Sequence, residues 1–237
     1  MTIRALTRDD FTPKTAEQSR RHFAHKVPMT REAFDALANR AKQHAFTISV
    51  LHKANLVAKM QEVIDKAIAE GTGYQDVRRH LLALFDTEGL PGISKARLLT
   101  TFRNNTQQAY NDARREALDE ASGAFPYRQY LTVGNGTPGY RNVRASHAIL
   151  HGKVFAWNDP FWNAHTPPWE HGCRCTFRGL TAGQVKRMGV RVVNLKAVRK
   201  AGIRPSSKFS REPATEAYIK TLPPELRERV RRLLKGK

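Results

Sequence analysis

The sequence predicts an α+β fold: an N-terminal helical bundle, then a small strand-and-loop segment, then a basic helical tail. Three observations predict it. Apolar residues recur at helical spacing through the first half, as at Val57, Met60, Ile64, Ala67 and Ile68. The pattern then changes at Phe125, where FPYRQYLTV is aromatic and β-branched, the composition of a strand. Beyond it, Asn142–Phe177 holds both cysteines, all three tryptophans and four of the nine histidines, with only short apolar runs. At 237 residues the chain suits one large domain or two small ones, and 40% hydrophobic content supports a core. The expected divisions are an N-terminal arm over 1–29, a helical region over 30–122, the strand-and-loop segment over 123–181, and a basic tail over 182–237.

In order, the arm is polar, with Pro13 and Pro28 as breakers, and is read as loosely held around one helical stretch. Thr30 is an N-cap candidate for a long helical region reaching Glu70. The β-branched run Phe46-Thr47-Ile48-Ser49-Val50 is a candidate interruption. Gly71 ends the region, since glycine accepts the left-handed cap. A second helix is expected from Tyr74 to Phe85, with Val77, Leu81, Leu84 and Phe85 on one face. Gly89 and Pro91-Gly92 break the chain again. Ser94 caps a third helix, Lys95–Ala121, whose stripe is Leu98, Phe102, Ala109, Tyr110, Ala113 and Ala117. Strands follow over Phe125–Val133, Lys153–Trp157 and Cys173–Arg178, with a turn cluster at 134–139 and a helical turn at Ala145–Leu150. Thr181 caps a helix through AGQVKRM. Lys196–Ser210 has little apolar periodicity and reads as linker. Pro224 opens a last helix with Leu226, Val230, Leu233 and Leu234 on one face.

The chemistry concentrates in 142–177. On a strand, Cys173 and Cys175 share a face, so both sulfurs can approach one tetrahedral ion. Zinc needs four ligands, and His147, His171, Cys173 and Cys175 are the candidate set, with His151 a further neighbour. The bland alternative is two buried thiols acting as small apolar side chains; a redox pair is a third. Arg144, His147 and His151 share a face if helical, and His147 serves equally as a metal ligand, an acid–base group or a structural hydrogen-bonder. His165 reads as an exposed side chain. Asp159-Pro160-Phe161-Trp162 and Thr166-Pro167-Pro168-Trp169 are either aromatic plugs on rigid turns or anchors for another protein. Asparagines in mid-helix need a reason. The expected one is a network of Arg103, Asn104 and Asn105, with Arg144, reaching the 142–177 loops.

The motif order is distinctive: R-x-x-H at Arg144, then His151-Gly152-Lys153-Val154-Phe155, then Asn158-Asp159-Pro160-Phe161-Trp162, then Pro167-Pro168 and Gly172-Cys173-Arg174-Cys175. Upstream lies Phe102-Arg103-Asn104-Asn105-Thr106-Gln107-Gln108-Ala109-Tyr110-Asn111. Together these resemble the phage Mu F-like family of minor head proteins, also called the head morphogenesis family, over roughly Arg97–Leu180. One departure is that similar proteins often carry an Asp shortly before the R-x-x-H, where this chain has Tyr140-Arg141-Asn142. The resemblance implies a minor head component of a tailed phage or prophage. Its expected partners are portal and head or scaffold proteins, and its expected place is the host cytoplasm during assembly and then the virion head.

Charge adds an independent expectation. The chain carries 41 Lys+Arg against 21 Asp+Glu, a formal net charge of +20. Residues 182–237 contribute 16 Lys/Arg and 4 Asp/Glu, so 16 − 4 = +12 of it. An anionic partner is implied, packaged double-stranded DNA first, bound without sequence preference through phosphates. Arg199, Lys200, Arg204, Arg227, Arg231 and Arg232 are the candidate contacts. No secretory signal or membrane span is expected. Two alternatives stand beside the head protein. One is a metal-dependent nuclease or hydrolase centred on His147, disfavoured because Asp159 and Glu170 are the only carboxylates within 142–177. The other is a general nucleic-acid-binding protein, which explains the charge and not the CRC segment.

Overall fold

The computed structural model describes residues 13–38, 41–48, 53–89, 93–132, 143–204 and 215–235. The expected turn at 134–139, the Tyr140-Arg141-Asn142 departure, the Pro91-Gly92 break and the later part of the expected linker lie outside these residues. The architecture is α+β: helices, a small mixed sheet, and a final pair of helices that returns to the start of the chain.

Helix α1, Pro13–Ala24, lies along α5 and α3. Over its described residues it corrects the reading of a loosely held arm, for Ser19 and Phe23 are fully buried. The contact is largely polar, which is why hydrophobic periodicity did not reveal it. Arg21 grips both oxygens of Glu116 on α5 at 2.6 Å, and His22 Nε2 lies 2.8 Å from the same carboxylate. Just past the helix, Lys26 donates to Asn105 and Gln108. Phe23 meets Phe46 edge-on, with ring centroids 5.5 Å apart.

The expected helical region from Thr30 to Glu70 is broken into pieces. Thr30 caps only α2, Arg31–Ala36, accepting from the Ala33 amide. A 3-10 turn at Ala41–His44 and strand β2, Ala45–Phe46, follow, and β2 pairs in parallel with β1, Val27–Pro28. The β-branched run does interrupt the helical region, as expected, and of its described residues Phe46 and Ile48 are buried in the core. Helix α3, Ala54–Glu70, ends at Gly71 with φ 64°, a left-handed cap that a side chain would strain. Helices α4, Tyr74–Thr87, and α5, Lys95–Glu120, complete the bundle. Its core includes Val57, Met60, Ile64 and Ile68 of α3, Val77, Leu81 and Phe85 of α4, and Leu98 and Ala109 of α5.

On α5, Ser94 accepts from the Arg97 amide as the N-cap. Leu98, Ala109 and Ala113 are buried as expected. Ala117 is exposed, whereas Asn111 and Glu116 are buried. The helix is sandwiched between two bodies and therefore buries a polar face as well as an apolar one.

The second body is a four-stranded sheet in the order β5-β3-β4-β6. Central β3, Tyr127–Leu131, runs antiparallel to β5, Thr176–Leu180, and to β4, Val154–Ala156. The edge strand β6, Val192–Val193, joins β4 in parallel. Short helices α6, Ala145–Ala148, and α7, Phe161–His165, fill the connections. Cys173 and Cys175 sit in the turn ahead of β5, not on a strand as expected. Helix α8, Ala182–Met188, opens with a reciprocal capping box between Thr181 and Gln184.

The described parts of the basic tail, 182–204 and 215–235, are folded into the molecule. Helix α9, Leu195–Lys200, replaces part of the expected linker, and Val198 and Ile203 pack into the aromatic core. One helical turn and a half is too short to show periodicity in sequence. Helices α10, Glu216–Lys220, and α11, Pro224–Lys235, carry Ile219, Leu222, Leu226 and Val230 onto Val27, Ala41 and Ala45.

Candidate functional site

The aromatic core holds the site in place. Phe155 stacks on Phe161 at 3.8 Å, Phe161 stacks on His165 at 4.6 Å, and Trp162 meets Phe177 at 5.0 Å. Trp162 and Trp169 are buried at 1% and 0% exposure, so both act as plugs, whereas Trp157 is 38% exposed and free to meet a partner. His165 is buried, which corrects its reading as an exposed side chain. Burial lowers its pKa to about 4, so its imidazole is neutral at physiological pH.

Three reactive side chains converge under this core. His147 leaves α6 with its ring stacked on Trp169, centroids 3.8 Å apart and planes within 12°. Its Nδ1 lies 3.2 Å from Cys175 Sγ and 3.6 Å from Cys173 Sγ. Its Nε2 faces the Glu170 carboxylate at 3.5 Å, and Arg144 Nε holds that carboxylate at 3.1 Å. All three converging residues are buried. The Cys175 thiol hydrogen-bonds Cys173 and pulls the Cys173 pKa down to about 5, and His147 adds to the effect. The same bond, with burial, pushes Cys175 upward. The Tyr130 hydroxyl, which accepts from Trp169 Nε1 at 2.7 Å, neighbours both sulfurs, and burial followed by their charge raises its pKa. This is a donor set suited to a soft cation.

His171 is not in that set. Its ring Nδ1 lies 2.8 Å from the Asn104 amide nitrogen, and the side chain is exposed. Asn104 also accepts from the Gly172 amide at 2.8 Å. Two further side chains of α5 reach the cysteine turn: Gln107 and Asn111 both donate to the Cys175 carbonyl, at 2.8 and 3.2 Å. Asn111 also accepts from Thr176 Oγ1. Arg115 donates to the Trp162 carbonyl and to Asn163. Arg103 is exposed, and Asn105 serves Lys26 rather than the loops. Arg144 donates to the His171 carbonyl at 2.9 Å.

Sequence reasoning missed Asn111, Arg115 and Arg128. Arg128 on β3 is fully buried, pairs with Asp119, and lies over the rings of Trp162 and Phe177. No local spacing marks an arginine as buried. The signal available was the run of polar residues on α5, read as reaching the loops: Asn104 does so, Arg103 and Asn105 do not, and the reach continues through Gln107 and Asn111 to Arg115.

The basic candidates divide. Arg199, Lys200 and Arg204 are exposed near α9. Arg227 instead donates to the Lys220 and Leu222 carbonyls, closing the end of α10. Arg231 pairs with Glu216 and Arg232 with Glu228. A separate cavity of about 560 Å³ is lined by Lys26, Arg31, Lys42 and Arg97, with Asp35 the one carboxylate among the described residues that line it. Among the described residues, no helix is long and apolar enough to cross a membrane.

Comparison with known proteins gives a consistent result. The family described as Phage Mu protein F like protein matches residues 58–178, about half of the chain, from α3 to β5. A capsid assembly protein F of Escherichia phage Mu is 30% identical over 175 residues, 67% of this chain and 38% of the relative. A Mu-like prophage FluMu F protein of Haemophilus influenzae is 30% identical over 164 residues, 64% of this chain and 38% of the relative. The matched part of the chain thus spans under two fifths of the length of these curated relatives. No solved structure matches the chain significantly.

Proposed function

The chain belongs to the phage Mu protein F-like family, and on that premise we propose that it is a minor head protein of a tailed phage or prophage, acting in capsid assembly. The observation that carries this reading is the extent of the match, which takes in α5, the aromatic core and the cysteine turn together. Its partners on this reading are portal and other head proteins. Trp157 supports an outward contact, because it is the tryptophan left exposed while its two neighbours are consumed as plugs. The protein acts in the host cytoplasm during assembly and stays in the head. Co-expression with the portal and major head proteins of the same phage tests the role. Co-purification that Trp157→Ala weakens is expected; no association with any head protein, under conditions where heads form, overturns it.

DNA contact is the finer part of the proposal. It is supported by the net charge of +20 and by the exposed Arg199, Lys200 and Arg204. Ending the chain near Thr181 is not a clean test, because Val198, Ile203, Ile219 and Leu226 seal two cores. Substitution of the exposed charges on and beside α9 leaves those cores intact and is a clean test.

We propose a structural rather than a catalytic role. A hydrolase centred on His147 finds little support, since the ring is 2% exposed, stacked on Trp169 and turned toward two sulfurs. Incubating pure protein with DNA and RNA, with and without divalent metals, checks this. Intact substrates are expected, and metal-dependent cleavage lost in His147→Ala would refute it.

A further inference from the structure

Two features stand outside the assembly role: the basic cavity, and the buried imidazole with its two thiols. The last carries an inference furthest, because the ligand atoms are already in place.

We propose that His147, Cys173 and Cys175 bind one zinc ion that staples α6 to the turn ahead of β5, with Glu170 as the carboxylate that orients the histidine from outside the metal's own shell. His147 Nδ1 and the two sulfurs all lie within 4.8 Å of one another. A tetrahedral ion with bonds of about 2.0 Å to nitrogen and 2.3 Å to sulfur sets its nitrogen and sulfur ligands roughly 3.5 Å apart. The observed 3.2 and 3.6 Å bracket that edge. An ion centred between the three atoms therefore needs little movement of the backbone.

The surroundings match those of a ligating imidazole. A metal-bound histidine normally gives its second ring nitrogen to a carboxylate, which fixes the tautomer and the ring plane. Here Nε2 is buried, and the group it faces is Glu170, itself held by Arg144. The Trp169 ring blocks rotation of the imidazole from one face. The remaining position falls to an oxygen, from water or from the Tyr130 hydroxyl beside the sulfurs.

The site also has a structural use. The chain between β4 and β5 carries one helix of five residues, and β4 itself has three. Such short elements hold little hydrogen-bonded structure of their own, and an ion joining α6 to the cysteine turn supplies folding energy to them. This role is independent of whether the protein contacts portal or DNA.

The test uses the full chain. Elemental analysis after purification without added metal is expected to give about one zinc per chain. The cobalt(II)-substituted protein is expected to show thiolate-to-cobalt charge transfer and the visible bands of a tetrahedral centre. His171→Ala keeps the metal, while Cys173→Ser and His147→Ala lose it. Chelation lowers Tm and makes both thiols titratable with a disulfide reagent. Should those variants fail to fold, the cobalt spectrum of the unmodified chain still decides. A metal-free folded protein that takes up no cobalt, a Cys173–Cys175 disulfide in the purified chain, or loss of metal in His171→Ala would each overturn the proposal.

Discussion

Glu116 is the carboxylate on which the start of the chain hangs. His22 and Arg21 lower its pKa to about 2 from the ordinary 4.5. A depressed carboxylate pKa contributes stability above the unfolded value and loses it as pH falls toward the folded one. Stability should therefore fall between about pH 4.5 and pH 2, and the Glu116→Gln protein should lose this part of the pH dependence in chemical denaturation series. At neutral pH that substitution should cost roughly 1.5–3 kcal/mol, the range for hydrogen bonds to charged groups. Asn111 plays the matching part at the other face of α5. Asn111→Leu removes the amide that serves the Cys175 carbonyl and Thr176, leaving both without this partner in a buried place. Thermal denaturation should report a loss of about 1–3 kcal/mol; an unchanged Tm would deny the network its weight.

Elements tell how far sequence carried. Helices α3, α4, α5, α8 and α11 were legible because their apolar faces repeat over two turns or more and their starts and stops are chemically marked, as by Ser94, Thr181 and Gly71. Helix α1 was legible only as one helical stretch in the arm; its docking was not, since its grip on α5 is made by Arg21, His22 and Lys26 rather than by a stripe. Helix α9 was hidden by its brevity, and its two anchors, Val198 and Ile203, matter only through what they touch. At the site, the cysteines and His147 were visible as residue types. The exclusion of His171 was not, for it depends on Asn104 reaching across 67 positions. The last helix gives the test at this scale. Leu226 is 1% exposed against Val27, Ala41 and Ala45, so Leu226→Ala should cost about 2–5 kcal/mol. A solvated tail would lose almost nothing.

For the whole molecule, two consequences follow from a folded, cationic tail. Replacing Arg199, Lys200 and Arg204 together by Gln should leave Tm nearly unchanged and reduce the salt slope of DNA retention by up to about 3. Arg227→Gln should instead lower Tm, because that guanidinium closes α10. Equal retention of the triple variant at every salt concentration would remove DNA from the account. Both bodies depend on α5, whose one face packs with α1, α3 and α4 and whose other face supplies amides and guanidiniums to the cysteine turn and to α7. Native-state hydrogen exchange on the full chain tests that arrangement most directly. Amides of β3 and β5 should open with the same free energy as those in the middle of α5, as one cooperative unit. Exchange of the β3 and β5 amides at a far lower free energy, while α5 stays protected, would show the sheet to be a separate and weakly attached body.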